Sequence, residues 1–90
     1  MNDSPRTSVL ALLLAQAEGM PQAPCLIWRG RTLTYRDVLS AALEVAAGLR
    51  TLGVKSGERV ALALDNGPRW VGAYLGVGFA GGVVVPINIQ

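Results

Sequence analysis

The 90-residue sequence contains no histidine and one cysteine, Cys25. Ser-His-Asp and Cys-His nucleophilic sites are therefore excluded, as are zinc sites built on Cys/His ligands. A single thiol cannot form an intrachain disulfide. Cys25 lies in the apolar run Pro24-Cys25-Leu26-Ile27 and reads as a small buried hydrophobe, a setting that suits a reducing compartment. Charge is also scarce, at 16% of residues against about 25% in an average soluble domain. The eight basic and six acidic residues are spread so evenly that residues 1–34 and 35–90 each net +1. No basic tract marks a nucleic-acid surface. The acids come singly: Asp37, Glu44, Glu58 and Asp65 fall on expected caps, faces and turns, and they read as structural or solvated. No phosphate loop of the form G-x-x-x-x-G-K-[ST] occurs.

The sequence is instead rich in apolar residues, at 51% with a mean hydropathy of +0.39. A domain of this length buries only about 60–65% of its unfolded surface. Few charges therefore remain to keep a large surface wet, which points to lipid or to further protein as a neighbour.

Periodicity organises the chain. Residues 1–7 read as a disordered start. Val9 to Ala17 is a short apolar run that Ser8 can cap and that Gly19 and Pro21 end; with Arg6 before it and Ala15-Gln16-Ala17 at its end, it also has the outline of a secretory signal. Cys25–Trp28 and Thr32–Tyr35 flank Arg29-Gly30-Arg31 as a hairpin. Thr34-Tyr35-Arg36-Asp37 has the spacing of a capping box, with Asp a shorter reach than Glu. Tyr35, Val38, Leu39, Ala42, Val45, Ala46, Leu49 and Leu52 then make one stripe of a helix, ended by Gly53 with Val54 beyond it. Arg59–Leu64 reads as a strand buried on both faces of a parallel sheet. Asp65-Asn66-Gly67-Pro68 is a turn that starts a helix, Trp70–Ala80 is apolar and Gly-rich, Gly81-Gly82 breaks it, and Val83–Ile87 is a strand with Pro86 at its end.

Two patterns have competing readings. Gly76-Val-Gly78-Phe-Ala-Gly81 fits G-x-G-x-x-G, but a dinucleotide loop follows a strand and opens a helix, whereas here a helix precedes it and a strand follows. The glycines more simply end a helix and let it approach a sheet closely. The 21 residues from Trp70 to Gln90 carry no charge, enough to span a bilayer as a helix, and Gly72 and Gly76 have the G-x-x-x-G spacing of associating membrane helices. Gly81-Gly82 and Pro86 oppose that reading.

Four segments together resemble the AMP-forming adenylating enzymes: acyl- and aryl-CoA synthetases, luciferases and the adenylation domains of peptide synthetases. Leu33-Thr-Tyr-Arg-Asp-Val38 resembles their L-T-Y-x-E-L opening motif. Leu52–Leu64 is similar to L-G-V-x-x-G-D-x-V-A-I, with Asn66 matching the Asn after that strand. Leu75–Asn88 resembles L-x-A-x-x-A-G-A-v-y-V-P-l-N, and the run before the hairpin resembles their first helix. The likeness covers about residues 8–90, in order and in register. Asp37 replaces the usual Glu, Gly82 stands where Ala is commoner, and Gln90 stands where some relatives carry a basic residue; no site is assigned to it.

The alternation of strands and helices predicts an α/β layer with a parallel sheet, and the resemblance implies that this is a partial parallel-sheet layer with an N-terminal hairpin, residues 8–90 being the incomplete start of a large N-terminal AMP-binding domain. It implies a parent activity in which ATP and Mg²⁺ turn a carboxylic acid into an acyl-adenylate and a thiol such as CoA takes the acyl group. The family's phosphate loop, its ribose-holding Asp and its mobile C-terminal domain with a catalytic Lys fall beyond the matched segment. No catalytic, cofactor-binding or metal-ligating residue is therefore assigned within residues 1–90, and these residues alone are not expected to catalyse. The expected partner is the remainder of a synthetase polypeptide, the expected parent a cytoplasmic acyl- or aryl-CoA ligase of fatty acid metabolism. Two alternatives stand beside this: a small membrane protein anchored by residues 70–87, and a stand-alone interaction module.

Overall fold

A computed structural model describes residues 5–64 and 67–87. The order is α1 (Pro5–Gly19), β1 (Pro24–Trp28), β2 (Arg31–Thr34), α2 (Tyr35–Thr51), β3 (Arg59–Leu62), α3 (Pro68–Phe79) and β4 (Val83–Pro86). β1 and β2 form an antiparallel hairpin, and β3 and β4 form a parallel pair joined through α3. This is the α/β arrangement with an N-terminal hairpin that the periodicity predicts.

Several boundaries differ from the expectation. Helix α1 begins at Pro5, so Ser8 lies within the helix and not at its start, and residues 5–7 are helical where a disordered start was expected. Proline is favourable in a first helical turn, where its missing N–H has no partner to lose. Residues 1–4 lie outside the described residues. The hairpin closes through two residues and not three, because Arg31 already pairs with Trp28. Arg29 (φ 49°) and Gly30 (φ 79°) both take positive φ, the conformation whose twist matches a two-residue hairpin.

Helix α2 is set at both ends by its sequence. The Thr34 N–H donates to Asp37 Oδ2 at 2.9 Å, and the Asp37 N–H donates to Thr34 Oγ1 at 3.1 Å. Asp therefore closes the box despite its shorter side chain. Two further first-turn donors reach back to the loop before the hairpin, Tyr35 N–H to the Ala23 carbonyl and Arg36 N–H to that of Pro21. At the other end Gly53 (φ 89°) donates to the Arg50 carbonyl and Val54 to that of Leu49, the paired bonds of a Schellman motif. Of the expected stripe, Val38, Ala42 and Ala46 are buried, whereas Leu52 is 81% exposed. It is the C-cap residue, where the chain has already turned away from the helical face.

The core has two connected parts. Leu13 of α1, Val38 and Ala42 of α2 and Leu75 of α3 form one, with Leu26, Leu33 and Tyr35 against it. Burial of each large member contributes about 1.5–3 kcal/mol. Leu62, Ala73 and Val77 form the second, with Val60, Trp70 and Val84. Trp70 and Tyr74, one turn apart on α3, stack with centroids 5.2 Å apart. Val9–Ala17 is thus part of a helix that places Leu13 in the core.

The α2–α3 contact explains the glycines. A Cβ on Gly76 would lie 2.5 Å from Val45 Cβ and 2.7 Å from the Ala42 carbonyl oxygen, and one on Gly72 would lie 3.3 Å from Ala41 Cβ. The close approach is therefore to another helix, not to the sheet as the sequence suggested. The Gly72/Gly76 spacing serves helix association within this fold. Among the described residues no helix is long and apolar enough to cross a membrane; residues 68–86 fold as helix, turn and strand.

Candidate functional site

The Gly76/Gly78/Gly81 pattern lies in the last turns of α3 and just after it. Gly81 and Gly82 donate to the carbonyls of Gly78 and Val77, so this end presents carbonyls and closes them. A helix offers free N–H groups to a pyrophosphate only at its opposite, N-terminal end, which here begins at Pro68, itself without an N–H. The pattern is not a phosphate cradle. It is, however, clasped from α2: Arg50 Nη2 donates to the Phe79 carbonyl at 2.8 Å. A cation on an orphan C-terminal carbonyl is favourable for the helix dipole. The sequence signalled this clasp only weakly, as a basic residue in the last turn of α2, and its target 29 residues away was not legible.

The described acids are engaged or solvated. Asp37 is held in the capping box. Glu58 Oε1 accepts from the Lys55 N–H at 2.6 Å and braces the turn before β3. Glu44 is exposed on α2, and Asp65, with Asn66 and Gln90, lies outside the described residues. Burial pushes the Cys25 thiol above its ordinary pKa, which disfavours the thiolate a nucleophile would need.

Two concavities flank α1. One, of about 530 Å³, lies between α1 and α2 and is lined mainly by Leu14, Pro21, Leu39 and Leu43, with Glu18 and Arg36 also present. The other, of about 180 Å³, is nearly all apolar and is lined by Leu12, Leu13 and Leu75 with Cys25 and Tyr35. Neither brings together a nucleophile and a base, or a pair of carboxylates.

ATP with Mg²⁺ needs oxygen ligands for the metal and convergent donors for the phosphates. Among the described residues no group of three or more His, Cys, Asp or Glu could hold a metal ion, and no polar or charged side chain is buried. The described residues do not fit that group. What the geometry defines is scaffold: a hairpin, three helices and the start of a parallel sheet.

The comparisons identify the scaffold. The family of AMP-binding enzymes matches residues 13–90. The chain is 39% identical over 84 residues to a long-chain-fatty-acid–CoA ligase of Bacillus subtilis, covering 93% of this chain and 15% of that protein. It is 38% identical over 75 residues to a pyochelin synthetase of Pseudomonas aeruginosa, covering 83% of this chain and 5% of that one. The fold superposes with TM-score 0.81 and 29% identity on a fatty acyl-adenylate ligase of Legionella pneumophila, solved with acyl adenylate and pyrophosphate, over 88% of this chain and 15% of that one. The chain therefore belongs to the AMP-binding, adenylate-forming ligase family, and its α/β fold is that of the family's N-terminal region. It spans less than a sixth of the length of each of these relatives.

Proposed function

We propose that this chain is the opening scaffold of an AMP-forming acyl- or aryl-CoA ligase. Such a ligase joins a carboxylic acid to AMP from ATP, with Mg²⁺, and then passes the acyl group to CoA. The observation that carries the reading is the 39% identity to a long-chain-fatty-acid–CoA ligase over 93% of the chain. The run Val83-Val84-Val85-Pro86-Ile87 agrees with it. On this reading residues 8–90 are the incomplete first part of an AMP-binding domain, their partner is the rest of a synthetase polypeptide, and the setting is cytoplasmic fatty acid metabolism. Residues 1–90 contribute packing and position, and the reacting groups come from elsewhere in such an enzyme.

A second reading, an adenylation domain that serves a peptide synthetase, is favoured by the 38% identity to pyochelin synthetase. The test uses the protein translated from the whole reading frame that carries these residues. With ATP, Mg²⁺ and CoA, it is expected to convert long-chain or aryl carboxylic acids to CoA thioesters with release of AMP and pyrophosphate. Amino-acid-dependent ATP–pyrophosphate exchange without thioester formation would replace the first reading by the second. A product inert with every acid would overturn both.

A further inference from the structure

Helix α1 is apolar without interruption from Val9 to Ala15. A helix that is apolar on every side is normally covered on every side, yet only Leu13 of this run is buried, and Leu14 is 46% exposed. Helix α2 has a matching surplus. Its core stripe is Val38, Ala42 and Ala46. Beside that stripe Leu39 and Leu43, four residues apart, make a second apolar row, with Leu39 half-buried and Leu43 45% exposed. Leu14, Leu39 and Leu43 all line the concavity of about 530 Å³ between the two helices.

Two charges mark one end of this groove. Glu18 lies in the last turn of α1. Arg36 lies in the first turn of α2, and its N–H donates to the carbonyl of Pro21, just past the end of α1. The two side chains line the groove from opposite helices, with no ion pair between them. The leucines occupy the remainder: Leu14 is one turn back along α1, and Leu43 is two turns on along α2. The outer face of β3–β4 makes the contrast. The strand expected to be buried on both faces is covered on the α3 side only, and Val83 and Val85 are exposed. Within those two strands, however, Arg59 is the single charge, with nothing of opposite sign to answer it.

A two-fold contact between identical chains uses one patch twice, so residue i must suit residue j and j must suit i. The groove meets that condition. With the two-fold axis laid along it, α1 of one copy lies opposite α2 of the other. Because both charges sit at the same end, Glu18 of each copy then faces Arg36 of the other, and the leucine rows close over one another. An anionic lipid surface would instead select a basic patch, and this one is balanced in sign.

We propose that the α1–α2 groove is a self-association surface: two copies of this chain pair about a two-fold axis along it, covering Leu14, Leu39 and Leu43 and joining Glu18 of each copy to Arg36 of the other. The proposal concerns assembly and is separate from the acid and the acceptor that a parent ligase would use.

The test follows the protein translated from the whole reading frame by sedimentation velocity over a range of concentrations. Wild type is expected to sediment as a dimer that dissociates on dilution. Glu18→Arg and Arg36→Glu are each expected to raise the dimer dissociation constant by about tenfold or more, because each reversal sets like charges opposite one another at two places. The double reversal Glu18→Arg/Arg36→Glu is expected to restore the wild-type constant, which damage to the fold could not do. Leu43→Lys, which alters neither charge, is expected to weaken the dimer by a similar factor, and it carries the comparison if circular dichroism shows that a reversal has lost the wild-type spectrum. Arg59→Glu, on the sheet, is expected to leave the dimer unchanged. The proposal is overturned if wild type is monomeric at every concentration, if a folded single variant dimerises as wild type does, or if the double reversal restores nothing. An effect of Arg59→Glu as large as that of Arg36→Glu would place the interface on the sheet and overturn it as well. Sedimentation needs no substrate, so a failure of the CoA reading leaves this result intact.

Discussion

Two glycines on facing helices make opposite predictions from the same chemistry. Both sit in helix interiors, where exchange for alanine gains up to about 1 kcal/mol of propensity. At Gly48 nothing lies within 4 Å of the added methyl, so Gly48→Ala is expected to stabilise the chain by about 0.5–1 kcal/mol. At Gly76 the methyl would meet Val45 Cβ at 2.5 Å and the Ala42 carbonyl oxygen at 2.7 Å. Neither atom is the free end of a flexible side chain, so the helices must part. Overpacking of this kind costs about 1–3 kcal/mol, and Gly76→Ala is expected to be destabilising on balance. Urea unfolding followed by circular dichroism at low protein concentration checks both signs; a stabilised Gly76→Ala would refute the close α2–α3 approach. Cys25 carries a third prediction. Burial raises its thiol pKa, so less thiolate is present at pH 7 than in an unstructured peptide. Alkylation by iodoacetamide is expected to be slower than that of a cysteine peptide at pH 7, and to approach it in denaturant. Equal rates in the folded state would remove the argument that this residue is a core hydrophobe.

The elements show where local rules act by themselves and where they do not. Helix α2 was legible from Thr34 to Val54 because its signals are local: a capping box, a stripe and a terminal glycine lie within the same short stretch. The box is expected to be worth about 1 kcal/mol. Thr34→Ala should therefore lower the urea midpoint by a corresponding amount, with no change in the slope, and Thr34→Ser should retain most of the stability. An unchanged midpoint for Thr34→Ala would mean that the loop carbonyls of Pro21 and Ala23 hold the helix start unaided. Helix α1 was less legible. Its leucines face both inward and outward, with Leu13 buried while Leu12 and Leu14 are exposed, so no stripe fixed its start, and Pro5 rather than Ser8 opens it. The target of the glycine approach was illegible for a different reason. Gly72 and Gly76 announce that something comes close, but only the chain's path brings α2 there rather than a strand or a lipid-borne helix.

At the scale of the whole molecule the apolar excess of the composition shows at the surface. The exposed side chains include Leu12, Ile27, Leu52, Val83 and Ile87, while no described polar side chain is buried. The sequence made the family legible through four segments in register, yet no residue of the matched stretch could disclose the acid substrate, because the described residues enclose no site that would recognise one. Transfer of an adenylyl group depends on neutralising the phosphates and aligning the attacking carboxylate. Here Asp37 and Glu58 brace backbone turns, Arg50 clasps a helix end, and no cluster of ligands exists among the described residues to hold the metal. The purified 90-residue chain is accordingly expected to show no carboxylate-dependent ATP–pyrophosphate exchange with fatty, aryl or amino acids, at a rate equal to that of a heat-denatured control. A rate above that control, surviving repurification and lost with Arg50→Ala, would place reacting chemistry inside this scaffold and overturn its reading as packing alone.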